Sequence, residues 1–159
     1  MLKNTLTFIV CFVIATLCSC SNKPPEKANA KIVKDLVEPL GVKIDRIATA
    51  HNVPPTLARA LVEVESSFND SALSKTNAVG LTQILRSTAK GECGIVKLKD
   101  LADEETNLNC GFKYLKKLKD NHGTWYRALI SYNIGAKWVN KPTLGSKQYA
   151  MKILRKANI

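Results

Sequence analysis

From residue 42 to residue 156 the apolar residues recur at helical spacing, and no stretch alternates convincingly with the period of two that a half-buried strand requires. That single pattern restricts the chain to a mainly α fold. The first predicted helix spans 42–51, with Ile44, Ile47 and Ala48 on one side; Asn52 closes it in a left-handed conformation and Pro54 forbids its continuation. The second spans 55–66, with Pro55 suited to its first turn. Further helices are predicted over 81–90, 107–119, 125–132 and 147–156, with loops over 91–105 and 135–145. Leu108, Phe112 and Leu115 recur at i, i+4 and i+7, a stripe that faces a core. With 159 residues, 45% of them hydrophobic, the chain has material for one such core.

One helix carries a polar residue on its apolar side. Over Pro55-Thr56-Leu57-Ala58-Arg59-Ala60-Leu61-Val62-Glu63-Val64-Glu65, the positions of Leu57, Ala58, Leu61 and Val64 form an apolar arc at about 100° per residue. Glu65 falls inside that arc, whereas Glu63 points to the polar side with Arg59 and Thr56. A carboxyl group set among apolar neighbours loses hydration, which raises its pKa and suits it to act as a general acid. The same position near a helix end also fits a Glu that reaches past its neighbours to water. Periodicity alone leaves both readings open.

The N-terminal 30 residues have a different character. Lys3 precedes an apolar run from Leu6 to Leu17, of signal-peptide length and short for a membrane span. It ends in Leu17-Cys18-Ser19-Cys20, which resembles the bacterial lipobox. The expected division is a lipoprotein signal over 1–19, a tether over 20–30 with Cys20 as lipid acceptor, and a folded domain over 31–159. Ser21 after Cys20, where sorted lipoproteins kept at the inner membrane carry Asp, points to the periplasmic side of an outer membrane. An ordinary secretory signal cut nearby reads much the same, and both readings take the chain out of the cytoplasm. Of the five cysteines, Cys93 and Cys110 alone lie in the mature domain. In an oxidising compartment they are expected to pair, two buried free thiols being the alternative. His51 and His122 stand apart, without ligand spacing, and no metal or other cofactor is expected.

Beyond Glu65 the sequence continues Ser66-Ser67-Phe68-Asn69, Ser74, Ala78-Val79-Gly80-Leu81-Thr82-Gln83 and Ser87-Thr88-Ala89. Downstream come Asn107, Gly111, Tyr114 and Leu115, then Ala128-Leu129 and Tyr132-Asn133-Ile134-Gly135. These three ordered segments resemble the motifs of the soluble lytic transglycosylases, over roughly residues 42–155. The resemblance implies a lysozyme-like helical domain with a substrate cleft and at most a small irregular hairpin. It implies that Glu65 is the catalytic acid and later base. It also implies that Ser74 helps hold the acetamido group or reacting hydroxyl, that Gln83 lines the cleft, and that Tyr132 and Asn133 lie near Glu65. Ser74 and Asn133 also read as turn or cap residues, and Tyr132 as core.

The resemblance further implies cleavage of the β-1,4 bond between N-acetylmuramic acid and N-acetylglucosamine with one carboxylate, the muramic C6 hydroxyl closing a 1,6-anhydro ring. Asp70 and Glu63 are the candidates for a second carboxylate, and neither has a counterpart with that role. Asn77 stands where the family has Gly, and tolerates the left-handed conformation best after Gly. Thr82 replaces a Met, with loss of apolar surface expected on the cleft floor. Arg86 replaces a Pro, adding a positive charge beside the site.

The net charge of +11, from 24 Lys and Arg against 13 Asp and Glu, favours anionic partners without choosing among them. Peptidoglycan, with its lactyl-peptide carboxylates, is the expected partner, together with the membrane through the lipid and a secretion or conjugation apparatus. Nucleic acid is not expected, since no aromatic-interleaved basic strand or zinc pair accompanies the charge. A hydrolase of goose-type lysozyme kind and a non-catalytic wall-binding subunit are the alternative functions.

Overall fold

Six α-helices and one short β-hairpin occupy residues 38–159, the part of the chain described by the computed structural model. The expected signal segment, the tether and Cys20 lie outside the described residues. Helix α1, Leu40–Ala50, buries Ile44, Ile47 and Ala48 and ends ahead of Asn52, which is left-handed at φ 55°. Helix α2, Pro55–Ser66, has proline at its start and buries Leu57, Ala58 and Leu61. Ser67 and Phe68 are both left-handed, at φ 53° and 63°, so the chain turns sharply just past Glu65.

Strands β1, Ala78–Val79, and β2, Ile84–Leu85, pair antiparallel, with Ala78 opposite Leu85 and Val79 opposite Ile84. The sequence pattern predicts a helix from residue 81; instead residues 80–83 form the hairpin turn. Gly80 at φ 74° and Gln83 at φ 48° are both left-handed, a conformation a right-handed helix cannot contain. Helix α3, Arg86–Cys93, therefore begins later, and Gly94 closes it at φ 72°. Asn77 is left-handed at φ 61°, as expected for a residue standing in place of glycine.

Within the span predicted as loop, Leu98–Ala102 forms a 3₁₀ helix. Helix α4, Glu104–His122, starts three residues before its predicted position because the Asp103 carboxylate accepts the Thr106 amide at 2.9 Å. Helix α5 is Trp125–Ile134 and helix α6 is Leu144–Ala157, capped by Thr124 and Thr143 in the same way. A short 3₁₀ helix, Ala136–Trp138, lies between them.

Helix α4 packs against α1 and α5, and α6 packs against α2 and α5. Phe112, Leu115, Leu57, Leu61, Leu129 and Ile153 are fully buried between them. A smaller cluster of Val79, Ile84, Ala89, Leu101 and Cys110 sits under the hairpin, with Tyr114 and Tyr132 packed against both clusters. Cys93 and Cys110 form the expected disulfide, tying α3 to α4 across 17 residues of sequence. Closing a loop of that length stabilises the fold by about 3 kcal/mol.

Candidate active site

Glu65 occupies the last turn of α2, one turn beyond the fully buried Leu61. Its carboxyl group is largely withdrawn from water, and this burial pushes its pKa up to about 7. The Tyr149 hydroxyl, from α6, donates to Glu65 Oε1 and opposes part of that rise. Burial dominates, as it does for carboxyl groups held against apolar walls.

All five cleft residues expected from the sequence come together. Glu65, Ser74, Gln83, Tyr132 and Asn133 line one cavity of about 210 Å³. They come from the end of α2, the loop after it, the hairpin turn and the end of α5. Glu65 is the one carboxylate among the cavity's lining residues. Glu63, two positions earlier on the polar side, is bonded instead to Lys156 Nζ at 2.6 Å. Asp70 lies in the loop after α2 and accepts the Ser71 hydroxyl at 2.9 Å, outside the Glu65 cavity.

The surrounding groups are held in place by bonds of their own. Ser74 Oγ accepts from the amides of Thr76 at 3.2 Å and Ala78 at 2.9 Å, so it is a turn residue and a cavity wall together. Gln83 keeps its left-handed backbone while its side-chain amide donates to the carbonyls of Ala72 at 3.1 Å and Gly80 at 3.0 Å. The Tyr132 hydroxyl donates to the Thr82 carbonyl at 2.8 Å. This bond fastens α5 to the hairpin turn beneath the cavity.

Thr82 is not on the cleft floor. It is fully buried, and its hydroxyl donates to Asn107 Oδ1 at 2.7 Å. The Asn107 amide group in turn donates to the Val79 carbonyl at 2.9 Å and the Leu101 carbonyl at 3.0 Å. Gly111 makes room for Thr82, since a Cβ there would stand 2.4 Å from the threonine hydroxyl. The replacement of Met by Thr thus exchanges apolar contact beneath the turn for hydrogen bonds.

Sequence reasoning missed Tyr149. It lies one position before the buried Ala150 on α6, where an aromatic reads as core. The available signal was its hydroxyl, since a buried tyrosine needs a polar partner. A larger opening of about 570 Å³ lies beside the disulfide, and several of its polar residues are already engaged. His51 Nε2 meets Asn109 Oδ1 at 3.0 Å, Asp103 caps α4, and Glu105 pairs with Arg46. Among the described residues, Glu65 is the carboxyl group with a strongly raised pKa.

Residues 43–154 match the family described as the Transglycosylase SLT domain. The chain is 29% identical over 128 residues to a protein of Photorhabdus laumondii named membrane-bound lytic murein transglycosylase C. That alignment covers 71% of this chain and 36% of the relative, so the chain spans about a third of the relative's length. Its fold resembles that of the lytic transglycosylase Slt of Pseudomonas aeruginosa, solved as an inactive mutant, with a TM-score of 0.66 at 22% identity. The match covers 72% of this chain and 22% of that one. The 70 kDa soluble lytic transglycosylase of Escherichia coli gives a TM-score of 0.66 at 23% identity, over 81% of this chain and 26% of its own. The lysozyme-like helical architecture is shared by this chain and the two solved structures.

Proposed function

The chain belongs to the transglycosylase SLT domain family, and from that membership we propose that it is a peptidoglycan lytic transglycosylase in which Glu65 acts alone, first as acid and then as base. One observation carries the reading: a single carboxyl group in the cleft, held by burial at a pKa of about 7. Such a group is substantially protonated at neutral pH and so has a proton to donate there. It donates its proton to the glycosidic oxygen between N-acetylmuramic acid and N-acetylglucosamine, and that bond breaks. The substrate's acetamido oxygen stabilises the cation developing at the anomeric carbon. The Glu65 carboxylate then takes the proton from the muramic C6 hydroxyl, whose oxygen bonds to the anomeric carbon and closes the 1,6-anhydro ring. Atoms and charge balance without added water.

Tyr149 has a positioning role: its hydroxyl fixes one carboxyl oxygen of Glu65 and leaves the other for the substrate. Ser74, Gln83 and Asn133 supply polar groups to the sugar, and Tyr132 holds the floor of the site. The relative named above is called membrane-bound, which accords with a cell-envelope location and with Cys20 as a lipid anchor. No observation on the described residues speaks for a secretion or conjugation apparatus as partner.

The test is to digest purified sacculi and weigh the released muropeptides. Products carrying 1,6-anhydro ends are expected. Products heavier by one water, with free reducing ends, would move the protein to the hydrolases. An absence of products would leave a wall-binding subunit.

A further inference from the structure

The cleft continues past Glu65. Thr76 and Leu85 line both the Glu65 cavity and a second recess of about 400 Å³, completed by Asn77, Arg86 and Ser87. Arg86 is the one charged residue among that recess's lining residues. It is exposed, and among the described residues no carboxylate pairs with it. Its recorded side-chain contact is a long one, 3.4 Å from Nη2 to the Val96 carbonyl. Arg46 and Arg59, by contrast, are already committed to carboxylates. A planar guanidinium with free donors, flanked by the hydroxyls of Thr76 and Ser87 and the Asn77 amide, presents the fork that a carboxylate fits.

We propose that Arg86 binds a carboxylate on the lactyl-peptide arm of a muramyl residue lying along the cleft from the bond at Glu65. It thereby makes the enzyme prefer anionic strands to neutral ones. The inference rests on the proposed function, which supplies the glycan strand, and adds the feature of the strand that is read. Where the family pattern it resembles carries a proline, without charge or side-chain donor, this chain carries Arg86. Arg86 acts on binding and stands away from the reacting atoms, so its loss should appear in KM and spare kcat.

The experiment compares native sacculi with sacculi whose carboxylates have been converted to amides by carbodiimide and ammonia. The full chain is purified in detergent, and binding is measured in the Glu65→Gln background, where no turnover interferes. Adding Arg86→Gln should weaken binding to native sacculi about five- to tenfold, the loss of one charge-assisted pair, and change binding to amidated sacculi less than twofold. In the active chain Arg86→Gln should raise KM on native sacculi by a similar factor with kcat within twofold. Lys152→Gln, which removes an exposed positive charge on α6, should shift the ratio of native to amidated binding less than twofold. An equal loss on both substrates, no loss on native sacculi, or a fall in kcat at constant KM would each overturn the proposal. Selective binding without anhydro products would refute the proposed chemistry and leave the carboxylate site standing.

Discussion

The burial that suits Glu65 to the proposed role of acid also makes it a burden on the fold. Its pKa rises from an unfolded value near 4.5 to about 7 in the folded protein. Between those pH values the folded state binds the proton more tightly than the unfolded chain, so stability falls as pH rises through this window and levels off above it. The full difference is on the order of 3 kcal/mol. Glutamine keeps an acceptor for the Tyr149 hydroxyl and never ionises. Glu65→Gln should therefore raise stability at pH 8 by about 1–3 kcal/mol and leave it little changed at pH 4.5. Urea unfolding at the two pH values checks this; a clear loss of stability at pH 8 would contradict burial as the source of the raised pKa. Glu65 was legible in the sequence because a carboxylate interrupts the arc of Leu57, Leu61 and Val64. Tyr149 was not, because an aromatic on an inward helical face looks the same whether it fills space or holds an acid. Only the packing of α6 on α2 separates the two.

At the scale of elements, the cleft depends on a hairpin of two residues per strand, too short to hold itself together. Asn107 on α4 ties it down. Its side chain donates to the carbonyls of Val79 and Leu101, and accepts from the Thr82 amide at 2.9 Å and the Thr82 hydroxyl at 2.7 Å. Replacing it with alanine leaves these buried groups without partners, at roughly 1–3 kcal/mol each before relaxation or entry of water. Asn107→Ala should therefore destabilise the protein by about 3–5 kcal/mol and disturb Gln83, which sits on the same turn. A denaturation midpoint close to wild type would show that the turn holds by other means. The family resemblance allowed a small irregular hairpin, but periodicity placed a helix there for a definable reason: Leu81, Ile84 and Leu85 satisfy helical spacing as readily as any short apolar run. The deciding facts are the left-handed backbones at Gly80 and Gln83, and glycine alone advertises such a conformation. Two helices start ahead of their predicted positions for a related reason. Asp103 and Thr143 cap α4 and α6 ahead of the apolar periodicity, whereas α5 starts at Trp125 as that periodicity predicts.

For the molecule as a whole, the sequence sets its charges unevenly. From Asn121 to the end there is no Asp or Glu, while Arg127, Lys137, Lys141, Lys147, Lys152, Arg155 and Lys156 all fall there. The segment holding α5 and α6 thus combines contacts around Glu65 with a cationic exterior, which suits the proposed action on an anionic polymer. The mainly α architecture was legible from the periodicity of apolar residues, whereas its meeting of α2, α5 and α6 around one carboxyl group required the tertiary structure. In the proposed reaction one buried carboxyl group, protonated near neutrality, makes the first move. The most direct test is the pH dependence of kcat/KM for release of anhydro ends, measured for wild type and Tyr149→Phe. The rate should fall as pH rises through about 7, since the acid form of Glu65 is then lost. Removing the Tyr149 hydroxyl, which favours the charged form, should move that fall to higher pH. A rate that stays level through pH 7 to 9, or a fall that moves to lower pH in Tyr149→Phe, would contradict the account.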